Sequence, residues 1–525
     1  MRSLFRYSLA VVVCGFSFLR VEAQCPPRPD PGTVVQDALS LNSANGVLNA
    51  EFTMKHSVDT GGFNHYCYIY ENGKAEVEAP TLRLHQGDHL LLDVKDRIES
   101  DDDSSEMGGM DMSGLPTCGD TGTPTLESTN VHFHGLNVSP DCHSDDVLTT
   151  LIQPNTKGFH FDIHIPEDEP PGLYWYHPHV HGFTEFQVNG GAAGAIVVEG
   201  MEKLHPEVAG LTQRVFVIRQ QYLVPWVPGP YQLSINYQVA AFPSFPSPII
   251  KMKPNEKQFW RVANATIQDF MPLQVWFNGK PQKLQLIALD GYPLAKPRME
   301  DTILVPPAGR AEFIVQAPPR DNEAIFMSLA YSTGPTGNAD LQQQLAKIEV
   351  SGDADETEEG KNAEPAPLTP MGSIKFADLS KQKPTTLRKL YFSEEFGGTN
   401  GPIQFYVTVD GQKQKVFKGN EKPVITTHVG AVEDWIVENH ALETHDFHIH
   451  QIHFLMLEVD GKPVKYQDLR DTIQIPYWDG KGPFHSVKVR MDFRDPTIAG
   501  TFVYHCHLLL HEDLGMMHKI EILPK

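Results

Sequence analysis

Short runs in which apolar and polar residues alternate, such as Ile303 to Val305 and Ala311 to Val315, are set off by Pro and Gly. A period of two predicts strands with one buried face, joined by turns. Some of the apolar stretches form a repeat. From Gly172 the chain reads GLYWYHPH and continues to GAIVVEG; from Gly500 it reads GTFVYHCH and continues to MHKIEI. Upstream of each lies a second matching piece, VHFHG at Val131 to Gly135 and DFHIHQ at Asp446 to Gln451, in the same order. A third copy lies between them. FWRVANA at Phe259 to Ala265 echoes DWIVENH at Asp434 to His440, but the strand that follows, PLQVWFNG, holds no histidine. Domains are therefore expected at 30–200, 205–350 and 372–525, the middle one without these histidines.

The 525-residue length suits about three domains. With 40% hydrophobic residues, 10% aromatics, 41 Gly and 41 Pro, the composition agrees with an all-β chain of many short strands. The first 23 residues have Arg2 and Arg6, an apolar run from Leu9 to Leu19, and Val21-Glu22-Ala23 before Gln24, which reads as a cleaved signal peptide. A secreted or periplasmic protein is expected. No later apolar stretch reaches the roughly 20 residues needed to span a bilayer. The formal charge of −23 argues against nucleic acid as a partner. Residues 351–371 form an expected linker, acidic from Gly352 to Glu364 and then carrying Pro365, Pro367 and Pro370. A second acidic loop, Glu99 to Glu106, leads into Met107, Met110 and Met112, whose thioethers suit Cu(I) but also fit a plain surface loop.

Cys14 leaves with the signal. Cys25, Cys67, Cys118 and Cys142 are expected to form two disulfides with three possible connectivities, and Cys506 is left over. Its neighbours explain it. Ten of the 24 histidines fall in four groups: His132 and His134; His177 and His179; His445, His448 and His450; His505, His507 and His511. On a strand each His-x-His pair points two imidazoles to one face, roughly 7 Å apart. Four such pairs supply eight nitrogens, which suits three copper ions with positions left open for oxygen. The same alternation that sends His505 and His507 to that cluster sends Cys506 to the opposite face. There Cys506, His445 and His511 make the His₂Cys set of a blue-copper centre, with Met516 as the axial thioether and Met517 as the fallback.

HFHG, HPH, HDFHIH and HCHLLLHEDLGM together resemble the multicopper oxidase family, specifically its three-domain laccases, over essentially the whole mature chain. The resemblance implies three consecutive cupredoxin-like Greek-key β-barrel domains and four copper ions. It implies type 1 copper at His445, Cys506 and His511, and type 2 at His132 and His448. The type 3 pair would take His134, His177, His179, His450, His505 and His507. The activity implied is four one-electron oxidations of a small phenol or aromatic amine, coupled to reduction of dioxygen to two waters.

Protons must reach the oxygen site as well. Glu512, and Asp145 or Asp146, are candidate carboxylate relays. Glu443, two residues before His445, is expected near the substrate edge, where it can take a phenol's proton. The main rival is a cuprous or other metal-ion oxidase, less favoured because ALET, and no Asp/Met set, precedes His445. A copper nitrite reductase needs no paired third set of ligands, and a carrier needs no thiolate between two histidine-bound metals. Asn137-Val-Ser139 and Asn264-Ala-Thr266 are glycosylation triplets that matter in a eukaryotic secretory route.

Overall fold

In the Phe159–His164 strand Phe159, Phe161 and Ile163 are buried while His160, Asp162 and His164 are exposed, so the period of two becomes one wet and one dry face. It pairs antiparallel with His89–Arg97, which buries Leu90, Leu92 and Val94 in the same way. The computed structural model describes residues 24–58, 64–71, 73, 75–99, 117–221, 232–320, 322–352, 374–396 and 403–525. The expected signal peptide, the Met107/Met110/Met112 loop and nearly all of the acidic linker lie outside the described residues.

The chain is all-β, about half strand and 5% helix. Among the described residues its strands form three successive pairs of sheets and one small two-stranded ladder. The first pair has five strands in each sheet, the second seven and six, the third seven and five. Each pair closes over its own apolar cluster, built around Phe52, Tyr68 and Phe161, then Trp260, Phe313 and Phe326, then Trp435, Phe447 and Tyr504. Strands that are neighbours in a sheet but distant in sequence, such as Thr81–Leu84 beside Gly194–Val198, make Greek-key crossovers. Each unit is two facing sheets rather than one closed ladder. Val35, well upstream of the middle strands, packs into the second cluster, and Phe270 and Tyr292 pack into the third.

The repeated segments are the exception to alternation. Gly172–His177 and His445–Ile449 are buried at every position, because both faces are covered. One side of each meets its own sandwich core and the other meets another part of the chain.

Cys25 pairs with Cys67 and Cys118 with Cys142, which resolves the three connectivities. Both glycosylation triplets are closed by folding. Asn137 is buried and its Nδ2 donates to Glu169 Oε1 at 2.9 Å; Asn264 is buried and its Nδ2 donates to the carbonyls of Asp269 and Val305. Neither amide is free to carry a glycan in the folded chain.

Candidate metal centres

His445–Ile449 and Gly500–Cys506 run antiparallel with Phe447 opposite Cys506 and His448 opposite His505. This register puts Cys506 on the face that carries His445 and Phe447. Cys506 Sγ lies 3.5 Å from His445 Nδ1 and 3.9 Å from His511 Nδ1, and those two nitrogens are 3.3 Å apart. The short helix Leu509–Asp513 returns His511 to the site. The loop then closes over it, with Met516 N donating to His511 O and Cys506 N donating to Met516 O. Met516 is fully buried in the same apolar cluster as Cys506, Phe447 and Leu508, whereas Met517 belongs to a different cluster with Val147, Leu148 and Phe417. Burial pushes the Cys506 thiol up and the His511 imidazole down. A soft cation that displaces the thiol proton would relieve the burial of an uncompensated thiolate.

On the other face of the same two strands, eight imidazoles from the first and last sandwiches meet. Trp175 and His177 pair with His134 and His132 across the Gly172–His177 and His132–His134 strands, which places three of them, and His179 N donates to Asn130 Oδ1 just beyond the strand. Three compact sets result: His134, His177 and His507; His179, His450 and His505; and His132 with His448, close to His134. Their outer nitrogens are bound where a partner exists. His177 Nδ1 meets Pro178 O at 2.8 Å, His448 Nδ1 meets Asp471 O at 2.8 Å and His505 Nδ1 meets Cys506 O at 3.0 Å. The inner ones are not. His132 Nε2, His177 Nε2, His179 Nε2 and His448 Nε2, with both ring nitrogens of His134 and His507, are buried with no hydrogen-bond partner in the protein.

Buried polar atoms in such numbers need an explanation, and a cluster of them converging from several strands fits metal ions. Burial, then repulsion among neighbouring imidazoles, holds His132, His134, His450 and His507 well below the usual imidazole range; burial takes His177 to about 3 and His448 to about 4. Neutral imidazole is the ligating form.

Carboxylates surround both sites. Asp145, fully buried, accepts from Phe133 N and from Gln451 Nε2 and holds His132 Nδ1 at 2.9 Å. Asp146 has no such place: it accepts from the amides of Leu148 and Thr149 and from the Thr149 hydroxyl, so it caps a turn. Glu512 lies 3.3 Å from His179 Nε2 and 3.2 Å from His505 Nδ1, without hydrogen-bond geometry to either. Burial, then Asp513, raises its pKa. Asp513 accepts from the amides of Gly182, Thr184 and Glu185, which pins the Glu512 helix to the first sandwich.

At the Cys506 site Glu443 Oε2 lies 3.6 Å from His511 Nε2, and its pKa is pushed up to about 8 by burial and by Glu394. Glu394 Oε1 lies 3.2 Å from His445 Nε2. Sequence reasoning missed Glu394, and also Asp471 and Arg310, which sit behind His448 and His134. Each lies in an ordinary strand or strand edge, and no motif marks it.

Three stretches of the chain, 125–203, 212–352 and 396–525, match the multicopper oxidase family. Among curated relatives, the multicopper oxidase mco of Staphylococcus haemolyticus is 22% identical over 92% of this chain and 94% of its own. A laccase of Bacillus subtilis is 22% identical over 75% of this chain and 79% of its own. Among solved structures, a multicopper oxidase from Campylobacter jejuni described as a metallo-oxidase superposes with a TM-score of 0.68 at 23% identity, covering 95% of this chain and 96% of that one. The family matches take in most of the chain and all three sandwiches, and on them the chain belongs to the multicopper oxidases, copper enzymes that pass electrons from a reducing substrate to dioxygen.

Proposed function

We propose that the protein is an exported, laccase-like oxidase of small phenols and aromatic amines that holds four copper ions and reduces dioxygen to two waters. His445, Cys506 and His511 would hold type 1 copper, with Met516 as a further, thioether donor. His132 and His448 hold type 2, and the sets His134/His177/His507 and His179/His450/His505 hold the type 3 pair. Copper, when bound, supplies one-electron transfer at the first site and dioxygen reduction at the cluster.

The observation that carries the reading is the position of Cys506 between His505 and His507. One strand has its thiol in one donor set and its two flanking imidazoles in the other. Electrons accepted on the thiolate side have a short covalent path to the oxygen side, an arrangement that storage or transport does not require. Glu443, next to the outer edge of His511, is suited to take the proton a phenol loses with its electron. Asp145, beside His132, and Glu512, beside His179 and His505, are suited to deliver protons to oxygen. Two disulfides support export, since such bonds persist in oxidising compartments.

A second reading, oxidation of a metal ion, has its own support. Glu394 and Glu443 put two carboxylates beside the outer nitrogens of both type 1 histidines, and carboxylates suit a cation as well as a phenol's proton. Oxygen uptake with a phenol and with Cu(I), each with and without added Cu(II), separates the two. Faster turnover of the phenol, insensitive to Cu(II), is the expected result; uptake with Cu(I) alone overturns the phenol assignment.

A further inference from the structure

The middle sandwich holds no histidine of the cluster, yet its Arg310 reaches Asp471, which stands behind two of the cluster's imidazoles. Arg310 begins the Arg310–Gln316 strand, is fully buried, and uses all of its donors. Nη1 and Nη2 fork onto Asp471 Oδ1 and Oδ2 at 2.7 and 2.5 Å. Nη1 also reaches Ala308 O, and Nη2 reaches Asp290 O at 2.7 Å, so the fork is anchored in its own sandwich. Nε donates to Leu173 O on the Gly172–His177 strand.

Asp471, in turn, touches both ligand-bearing sandwiches. Its backbone oxygen receives His448 Nδ1 at 2.8 Å, and its Oδ1 lies 3.5 Å from His134 Nε2. The next residue, Thr472, donates to Asp290 Oδ2 and pairs with His448 in the sheet. The packing leaves no slack. Gly135, directly after His134, has φ +88°, and a Cβ there would stand 2.6 Å from Asp471 Oδ2 and closer still to Arg310 Nη2.

We propose that Arg310 is a positioning residue for the copper cluster: by holding Asp471 in a bidentate ion pair it fixes the Asp471 carbonyl that receives His448 Nδ1, so the ligand-free sandwich orients a ligand of the type 2 site. The inference rests on the copper assignment made above. A planar fork does what a point charge cannot, because two parallel bonds fix the carboxylate plane as well as its distance. Groups that orient metal-bound histidines typically matter about 10- to 100-fold for metal affinity when altered.

The test is Arg310→Lys in the copper-loaded full chain, followed by a graded challenge with a Cu(II) chelator. Copper content, the type 2 electron paramagnetic resonance signal and the blue absorption are read together. The expected result is an intact blue band, with type 2 copper lost at roughly 10- to 100-fold less chelator than in the parent. Should the lysine variant not fold, Arg310→Met combined with Asp471→Asn removes both charges together, and the same selective loss is expected. Arg261→Met is the control, since Arg261 is an equally buried arginine of the same sandwich, paired with Glu312. It should lower Tm without moving the type 2 signal. Parental chelator resistance and an unaltered type 2 spectrum in the Arg310 variants overturn the inference, as does the same type 2 loss in Arg261→Met. A parent with no type 2 signal at all overturns the copper assignment itself.

Discussion

His448 lies directly opposite His505, from a different strand of the same sheet, while their neighbours Phe447 and Cys506 face each other on the opposite side. Two donor sets are thereby fixed by one register. A slip of one residue would exchange the faces and dismantle both.

Cys506→Ser should abolish the blue absorption and reduce oxidase turnover to background while the cluster keeps its copper. A hydroxyl cannot replace the soft thiolate, but His505 and His507 point elsewhere and are untouched. Metal analysis should show one copper fewer per chain; a serine variant that stays blue rules out Cys506 as the ligand.

Met516→Leu should raise the type 1 reduction potential and leave the site blue, because a weak donor that favours Cu(II) is removed and the apolar pocket stays dry. Repacking should cost less than about 1.5 kcal/mol. Met517→Leu should leave the potential alone, since Met517 packs in a separate cluster with Val147 and Phe417. Redox titration of both variants decides it, and a shift confined to the Met517 variant reverses the assignment.

Glu512→Gln should slow turnover on the order of 100-fold at saturating substrate and oxygen, with copper content and blue colour unchanged. The amide keeps the shape between His179 and His505 but cannot carry a proton. Asp146→Asn, by contrast, should leave turnover near that of the parent, because Asp146 is occupied in its turn. Unaltered turnover in Glu512→Gln would rule out Glu512 as the relay.

Glu169 gives a pH dependence of stability. Burial lifts its carboxyl from 4.5 to about 7, Lys375 and the two Asn137 donors lower it only in part, and Oε2 has no partner. A raised carboxyl pKa favours the folded state while protonated. Its stabilisation is complete below the unfolded value and is lost as pH rises through about 7, by up to about 3 kcal/mol. Glu169→Gln keeps an acceptor for Asn137 and should flatten the fall in Tm between pH 5 and pH 8. A fall as steep as in the parent shows that another group titrates.

The clustering of the histidines was legible because each group is local and strand alternation sorts its members by face. Cys506 could be separated from His505 and His507 on that ground alone. Alternation does not decide between adjacent residues on a turn, which is why Asp145 and Asp146 stayed equivalent until the chain's path showed one at His132 and the other on Thr149. Glu394, Asp471 and Arg310 left no trace, because each meets its partner across strands or across sandwiches. The glycosylation triplets are the opposite case: the pattern at Asn137 and Asn264 is local and clear and left their use open, but burial is a property of the whole fold.

Every compact set in the cluster draws on both ends of the chain, and the contact between Asp145 and Gln451 spans 306 residues. During synthesis the N-terminal sandwich emerges and can fold long before its partner exists. It then carries half of a binding site. A growing or truncated chain can hold metal there only weakly, so full copper uptake becomes a check that translation reached the end and that the last sandwich docked. Topology thus ties completion of the site to the end of biogenesis, and a chain cut short before His505 completes neither the Cys506 set nor two of the three imidazole sets.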